Sequence, residues 1–334
     1  MNKIPVGIIG VSGYTGLELI KILLNHPVFE INYVANSQGE QYLCDIHPAL
    51  KGVFDLKIQK ANPKEASKKC SLVFLALPHK NAMSFAKELL ACGVKVVDLS
   101  ADYRLEQKNY ESHYATLHTD TQNLSKAVYG LVEYTREKIK KASLVANPGC
   151  YPTATLLGLI PFLPYLENSS IFVDAKSGVS GAGKQLTQNT HYPTINENIF
   201  SYSPFQHRHQ IEIEEKCAIL GNKPVKVNFV PHLVPFTQGM LVSIFATLKQ
   251  TIDPLEILKK CYENEAFIRI RDIPADVHSV RGSNFCDIFA KCRGKDIYIN
   301  TAIDNLLRGA SSQGVVNANL MCHLDENLSI PKIG

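Results

Sequence analysis

Several features that mark whole classes of protein are missing from this 334-residue chain. Its nine cysteines are scattered and contain no C-x-x-C pair, which indicates reduced thiols rather than a disulfide framework or a zinc site. No block of like charges stands out, and a formal net charge of +4 is too small to indicate a nucleic-acid partner. No apolar run approaches the length needed to cross a bilayer, and the first apolar segment begins too close to Met1 for a signal peptide. We therefore expect a cytoplasmic protein that holds no metal and binds neither membrane nor nucleic acid.

What is present predicts two domains. A hydrophobic content of 45% and a charged content of 20% are ordinary globular values, and the length allows two sizeable cores. Up to about residue 149, short apolar strands alternate with helical stretches, which predicts a parallel sheet with helices on both faces. Residues 150–303 carry longer, more separated strands, which predicts an α+β domain on a larger sheet. Leu306–Met321 is predicted to form a C-terminal helix.

The N-terminal segment predicts a nucleotide site. The apolar strand Ile4–Ile9 leads into the turn G-V-S-G-Y-T-G and then into a helical pattern from Leu17. Glycines let the backbone turn tightly and approach a pyrophosphate, which then lies at the helix N-terminus, as in a Rossmann-type domain. A purely structural turn is the alternative. The candidate cofactor contacts in this turn are Gly10, Ser12, Gly13, Tyr14, Thr15 and Gly16.

The end of the second predicted strand favours NADP over NAD. NAD-selective sites place an acidic residue there to hold the ribose 2′-hydroxyl. This chain has Asn36 and Ser37 instead, and Ser37 can donate a hydrogen bond to a 2′-phosphate. The alternative is that both are ordinary turn residues.

Cys150 is the candidate nucleophile. It lies in the run N-P-G-C-Y-P-T, in which turn formers precede a helix. A thiol at a helix N-terminus faces unsatisfied N–H groups and the positive end of the helix dipole, and both favour the reactive thiolate. A small buried residue at a tight turn is the alternative.

The motifs together resemble the N-acetyl-gamma-glutamyl-phosphate reductases, which are related to aspartate-semialdehyde dehydrogenase. The resemblance covers essentially the whole chain, in order. Its motifs are G-V-S-G-Y-T-G, F-L-A-L-P-H, D-L-S-A-D-Y-R, N-P-G-C-Y-P-T, D-A-K-S-G-V-S-G-A-G, H-R-H-Q and P-H-L-V-P. Two departures are Val132, where the family usually has proline, and Gln238-Gly239, where arginine-glycine is common.

The resemblance implies an acyl-phosphate reductase that works through a thioester. Cys150 would attack the substrate and expel phosphate, and NADPH would reduce the resulting thioester to a semialdehyde. His209 is the preferred general acid and base, and His207 stays open as the alternative. The resemblance also implies that the C-terminal segment 304–334 completes the 1–149 domain, and that 150–303 catalyses and assembles a homodimer or homotetramer.

Further residues are candidate contacts. The planar guanidinium of Arg104 suits the substrate's phosphate or carboxylate, with a surface ion pair as the alternative. Arg208 and Lys184 are cationic candidates of lower weight. The candidate cofactor contacts outside the first turn are Pro78, His79, Ser180, Gly181, Gly183 and Asn305.

Other functions stay open. A sister enzyme would apply the same chemistry to aspartyl phosphate or to a carrier-linked aminoadipyl phosphate. A non-catalytic nucleotide-binding protein is disfavoured because Cys150, His209 and Arg104 are all present.

Overall fold

A computed structural model describes residues 3–334, and its elements follow the apolar pattern of the sequence. The strands are β1 (Ile4–Ile9), β2 (Phe29–Asn36), β3 (Gln59–Lys60), β4 (Leu72–Leu75), β5 (Lys95–Asp98), β6 (Val128–Tyr129), β7 (Leu144–Ala146), β8 (Ser170–Gly178), β9 (Phe200–Ser201), β10 (Lys226–Val234), β11 (Met240–Thr247), β12 (Ile268–Ile270), β13 (Cys286–Arg293) and β14 (Asp296–Ile303). The helices are α1 (Tyr14–Leu24), α2 (Leu43–Ile46), α3 (Pro63–Lys69), α4 (Ala82–Ala91), α5 (Gln107–Tyr114), α6 (Thr121–Leu124), α7 (Val132–Ile139), α8 (Cys150–Leu159), α9 (Tyr192–Ile195), α10 (His209–Leu220), α11 (Pro254–Cys261) and α12 (Ser311–Met321). Short 3₁₀ helices span Pro48–Leu50, Ile160–Tyr165, Val179–Ala182 and Gln188–Thr190.

The chain forms two compact units. The first runs to Pro148 and also includes Ala310–Ile330 from the C-terminal part of the chain. The second comprises Gly149–Gly309 with Pro331–Gly334. The predicted first domain, residues 1–149 with 304–334, therefore differs slightly from the first unit, which ends at Pro148 and includes the chain again only from Ala310. Residues 1 and 2 lie outside the described residues. The predicted C-terminal helix begins later than Leu306, because the Asp304 side chain accepts the N–H groups of Leu306 and Leu307 in a tight turn.

The first unit confirms the predicted Rossmann-type sheet. Its seven strands are all parallel, in the order β3-β2-β1-β4-β5-β7-β6. The central strand β1 buries Val6, Ile8 and Ile9 completely, as expected for a parallel strand covered on both faces. Because the carboxyl ends of these strands share one edge of the sheet, the turn after β1 and the turn after β2 lie side by side.

Helix α12 belongs to the core of this first unit. All of its residues are buried, and it packs against α1, α7 and β5. Its polar side chains bond to neighbouring segments of this unit: the Asn317 amide donates to the Gly130 carbonyl (3.1 Å) and to Asn147 Oδ1 (3.0 Å). Ser311 Oγ donates to the carbonyl of Thr15 in α1. The C-terminal helix thus braces the helix that follows the glycine turn.

The second unit is built on a mixed sheet, which confirms the predicted α+β class. Its order is β12-β13-β14-β11-β8-β10-β9, with β8 and β10 parallel and β8, β11 and β14 successively antiparallel. Helix α8 packs on β11 and β14, and α10 packs on α8. No helix in the described part of the chain, residues 3–334, is long and apolar enough to cross a membrane.

Asp102 organises the loop between β4 and α4, and this gives a test of the fold. Its Oδ1 accepts Lys80 N–H (2.7 Å) and the Tyr110 hydroxyl (2.8 Å), while Oδ2 accepts the N–H groups of Ala82 and Met83. An asparagine has one oxygen, so in Asp102→Asn an amide NH₂ would face two buried donors. We expect this variant to lose about 1–3 kcal/mol of unfolding free energy in urea denaturation.

Asp253→Asn is the matched control. Asp253 caps α11 through Oδ1 alone, which accepts the N–H groups of Leu255 and Glu256, so one oxygen suffices. Its stability should stay within about 0.5 kcal/mol of wild type. Equal losses in the two variants would show that Asp102 does not need both oxygens.

Candidate active site

Cys150 is the first residue of α8, so the thiol lies at a helix N-terminus as expected from the sequence. Gly149 occupies the N-cap position, and its carbonyl accepts both the N–H and the hydroxyl of Thr153, each at 2.9 Å. This closes the first turn immediately behind the cysteine. The half-buried thiol therefore lies at the positive end of a helix whose remaining residues are all buried.

A buried carboxylate fixes the same turn. Glu212 is only 1% exposed, and its Oε1 accepts the N–H of Gly149 at 2.9 Å. Glu212 lies in the first turn of α10, three residues after His209. The sequence analysis missed it, although an acidic residue one helical turn beyond H-R-H was the available signal. Glu212 links the start of α10 to the residue that precedes the nucleophile.

Two histidines and two tyrosines form one cluster beside this turn. The ring centroids of His207 and His209 are 4.8 Å apart, and the Tyr151 ring lies 5.6 Å from His207 and 5.8 Å from His209. Tyr202 lies edge-on to His207 at 5.5 Å, and Phe229 closes the cluster. The Gly149–Glu212 hydrogen bond joins this turn to the start of α10, so the helix starts that carry Cys150 and His209 lie side by side in this unit.

The two histidines are not equivalent. His207 Nδ1 accepts the backbone N–H of His209 at 3.1 Å. Burial, with a smaller contribution from the Arg208 charge, lowers the pKa of His207 to about 4. His207 is therefore neutral near pH 7, and its Nδ1 holds the backbone at the start of α10.

The tyrosines are held in their protonated form. Burial raises the pKa of Tyr202 to about 12, and burial followed by the Tyr202 charge raises the pKa of Tyr151 further. Their hydroxyls are 3.2 Å apart, and Tyr151 Oη also donates to the His232 carbonyl. Both tyrosines thus contribute dipoles and shape to the cluster, not negative charge.

Small-residue loops lie in the same unit. Ser180 is buried in the 3₁₀ helix Val179–Ala182, whereas Gly181 and Gly183 are exposed. The Asn305 amide bridges two loops: Oδ1 accepts Gly239 N–H (2.6 Å) and Nδ2 donates to Ser180 Oγ (3.0 Å). Both side-chain polar atoms of Asn305 therefore bind protein groups, and its contact with the cofactor stays a prediction.

The glycine turn of the first unit has the shape that a dinucleotide requires. Gly10 has φ +102°, and a Cβ there would lie 2.2 Å from the carbonyl oxygen of Ala76. A Cβ on Gly16 would lie 2.6 Å from the carbonyl oxygen of Gly10. Helix α1 begins at Tyr14 after Gly13, and the first N–H groups of a helix have no partner within it. Only glycine fits at Gly10 and Gly16, which leaves the backbone open to a pyrophosphate.

The end of β2 has an amide where NAD-selective sites have an acid. Asn36 donates to Ser12 Oγ (3.0 Å), and its Oδ1 accepts the N–H groups of Gln38 and Gly39. This ties the turn after β2 to the glycine turn after β1. Ser37 is exposed beside it. Asn36 was considered only as a turn residue in the sequence analysis, yet it sets the position of Ser12 and Ser37.

The loop candidates Pro78 and His79 are held close to the β5 edge. His79 Nδ1 accepts the N–H of Ala101 at 3.0 Å. Arg104 is 5% exposed, and its guanidinium donates to the carbonyls of Asn147 and Leu99, each at 2.8 Å. Arg104 is therefore no surface ion pair: it supports the chain just before the nucleophile turn.

Comparison with known proteins identifies the family. Residues 5–142 match the family described as "Semialdehyde dehydrogenase, NAD binding domain", and residues 150–305 match "Semialdehyde dehydrogenase, dimerisation domain". The N-acetyl-gamma-glutamyl-phosphate reductase of Wolinella succinogenes is 62% identical over 99% of this chain and 98% of that protein. The enzyme of the same name from Sulfurovum sp. is 56% identical over 99% and 98%. This chain belongs to the N-acetyl-gamma-glutamyl-phosphate reductase family.

Solved structures agree with the fold of this family member. The structure of aspartate semialdehyde dehydrogenase with NADP from Candida albicans superposes with a TM-score of 0.72 at 17% identity, covering 98% of this chain and 100% of that one. The predicted resemblance and the two-domain class are thus confirmed. In this chain the side chains of Lys184 and Arg208 are exposed. Residues 3–334, which the structure describes, contain no group of three His, Cys, Asp or Glu side chains that could hold a metal.

The low pKa of His207 makes stability depend on pH. An unfolded histidine titrates near pH 6.5, so the neutral buried state contributes stability above that pH, and the contribution is lost as pH falls towards 4. In His207→Asn the amide oxygen can still accept His209 N–H, but no group titrates. We expect the melting temperature of wild type to fall more between pH 7.5 and pH 5 than that of the variant.

Other buried histidines provide the control. Burial also lowers the pKa values of His26 and His118, so part of the acid sensitivity should survive in His207→Asn. The difference between wild type and variant in the fall of melting temperature from pH 7.5 to pH 5 is the contribution of His207. Parallel melting curves at both pH values would mean that His207 is already charged in the folded protein.

Proposed function

We propose that this protein reduces N-acetyl-L-glutamyl 5-phosphate to N-acetyl-L-glutamate 5-semialdehyde with NADPH, releasing phosphate, as a step of arginine biosynthesis in the cytoplasm. The observation that carries the proposal is the position of Cys150 at the head of α8, beside the His207–His209 cluster. The names of the relatives supply the substrate. None of the nine cysteines, all within the described residues, forms a disulfide, consistent with a reducing compartment.

Cys150 acts as the nucleophile. Its thiolate attacks the carbonyl carbon of the acyl phosphate, the carbon–oxygen bond to phosphate breaks, and phosphate leaves with the bonding electron pair. The product is a thioester on Cys150. The positive end of the α8 dipole favours the thiolate and the oxyanion that forms beside it.

The glycine turn and the turn after β2 would hold the cofactor. The open backbone at Gly10 and Gly16 would accept a pyrophosphate. The end of β2 has no acidic side chain, and the Ser37 hydroxyl there would donate a hydrogen bond to a 2′-phosphate. When bound, NADPH supplies the hydride that reduces the thioester. The NADP named in the Candida albicans structure supports the same choice. We expect NADPH to be preferred over NADH in steady-state kinetics, and equal use of both would contradict the assignment of Ser37.

His209 acts as general acid and base. It protonates the oxyanion of the reduced, tetrahedral intermediate and removes that proton as the carbon–sulfur bond breaks, which frees the semialdehyde and regenerates the thiolate. His207, with its pKa near 4, lacks a proton to give near neutrality. Arg104 remains the proposed anchor for the substrate's anionic groups, with Arg208 and Lys184 as exposed secondary candidates.

The reaction is tested most simply in reverse. Purified protein, NADP⁺ and phosphate are mixed with N-acetyl-glutamate semialdehyde, and separately with aspartate semialdehyde, while NADPH absorbance is followed. We expect phosphate-dependent NADPH formation with the acetylated substrate alone. Activity only with aspartate semialdehyde would assign the protein to the sister reaction, and inactivity with both would contradict the proposal.

Site variants test the roles. We expect Cys150→Ser to abolish turnover while NADPH still binds with wild-type affinity. His209→Asn should lower kcat by a factor of about 10²–10⁴ and remove the pH dependence near neutrality. His207→Asn is the matched control and should keep most of the activity. The opposite ranking of the two histidine variants would transfer the acid–base role to His207.

We further propose that the second unit forms a homodimer through the open face of its sheet. Phe172, Phe245 and Tyr298 are in register on β8, β11 and β14, and they form one aromatic row. Phe172 is 58% exposed and Phe245 48% exposed, an apolar surface that a monomer leaves in water. The dimerisation description of the matching family favours a second copy of the chain as the occupant.

Charge substitution tests this surface. Phe172→Glu with Phe245→Glu should convert the oligomer into monomers by light scattering, because two carboxylates would be buried at a self-complementary contact. An exposed control, Leu186→Glu in the 90% exposed loop position, should leave the mass unchanged. An unchanged mass in the double variant would exclude the aromatic row as the dimer contact.

A further inference from the structure

The turn from Asp304 to Gly309 packs directly against the nucleophile. We propose that this turn positions the Cys150 thiol, with Gly309 and Asn305 as positioning residues. The inference rests on the proposed function in taking Cys150 as the nucleophile. The turn makes no use of the histidine cluster and was outside the catalytic roles assigned above.

Gly309 is the contact residue. A Cβ built on it would lie 2.6 Å from Cys150 Cβ and 2.6 Å from the Asn305 carbonyl oxygen. Real Cβ contacts are not this short, so the Gly309 backbone already occupies one side of the cysteine. Its N–H donates to the Asp304 carbonyl at 2.9 Å, which fixes the backbone in that place. The Cys150 side chain consequently has fewer rotamers open to it than an ordinary helix N-terminal residue.

Asp304 makes the turn rigid. The residue is fully buried, and its Oδ1 accepts the N–H groups of Leu306 (2.9 Å) and Leu307 (3.1 Å). Its Oδ2 accepts the N–H of Gly282 at 2.9 Å. A carboxylate with three backbone donors is held firmly, so displacement of Gly309 would have to disrupt charge-assisted hydrogen bonds.

Asn305 connects the turn to two loops. Its amide joins Gly239 and Ser180, and Gly178 N–H in turn donates to the Gly239 carbonyl at 2.9 Å. These bonds connect the 3₁₀ helix Val179–Ala182 and the end of the Phe236–Gly239 loop to the turn that contains Gly309. Asn305 therefore holds small-residue loops in register with the nucleophile.

The consequence is pre-organisation of the thiolate. Attack on an acyl carbon requires sulfur at a defined distance and direction, and a misplacement of about 1 Å can lower the rate about 10²-fold. Gly309 limits where the sulfur can lie, and Asp304 and Asn305 keep Gly309 in place. The restriction on the Cys150 sulfur is steric and comes from the backbone of Gly309. A sequence motif of reactive side chains therefore does not reveal it.

Gly309→Ala is the primary test. The added methyl must push Cys150 or the turn away, so we expect kcat to fall at least about tenfold with little change in KM. Alkylation of Cys150 by iodoacetamide, located by peptide mapping and followed against pH, should also change in rate and midpoint. This readout needs no substrate, so it stays informative if the proposed reaction is wrong.

Gly158→Ala is the matched control for overpacking. Gly158 lies in the same helix α8, and a Cβ there would lie 2.7 Å from Thr301 Cγ2 and 3.1 Å from Ile299 Cγ2. This variant should lose stability while keeping the wild-type alkylation profile. If Gly309→Ala matches wild type in both kcat and alkylation, the turn does not position the thiol. Equal changes in Gly309→Ala and Gly158→Ala would show a general packing effect and would also overturn the proposal.

Asn305 gives a second test that does not add volume. Asn305→Ala removes both bridges, and we expect lower kcat and a shifted alkylation profile. In Asn305→Asp one oxygen still accepts Gly239 N–H and the other can accept the Ser180 hydroxyl proton, so the aspartate should restore most of the rate. If Gly309→Ala fails to fold, this pair decides alone: unchanged thiol reactivity in Asn305→Ala would contradict the positioning role.

Discussion

The site depends on one constraint, the fixed backbone of the turn that carries Cys150. Gly149 N–H is bound to the buried Glu212 carboxylate, and the Gly149 carbonyl accepts two bonds from Thr153. The remaining side of Cys150 is taken by Gly309. Backbone groups and a buried carboxylate therefore hold the turn that places Cys150 at the positive end of α8.

Protonation states follow from burial in the same region. Burial keeps His207 neutral and the Tyr151 and Tyr202 hydroxyls protonated, so these three side chains carry no charge near pH 7. The low dielectric that sets these pKa values also strengthens the dipoles acting on Cys150.

The sequence predicted most of the fold because periodicity and glycine spacing are local signals. The β1 strand, the glycine turn and α1 were predicted with the correct order, and the change to a mixed sheet after Cys150 was visible in strand length. Asn36, Glu212 and Gly309 were missed because their roles depend on contacts between distant segments. Asn305 stays a predicted cofactor contact, and the sequence did not reveal that its amide also binds Gly239 and Ser180. The low pKa of His207 likewise depends on the tertiary structure, which H-R-H alone does not reveal.

The central claim is that a thioester on Cys150 links the two halves of the reaction. The most direct test mixes enzyme with N-acetyl-glutamate semialdehyde and NADP⁺ in the absence of phosphate, and follows NADPH and intact protein mass together. The account predicts a burst of one NADPH per subunit, a mass gain equal to the acyl group on the Cys150 peptide, and discharge of that group when phosphate is added. NADPH formation that continues without acylation of Cys150, or acylation at another residue, would contradict it.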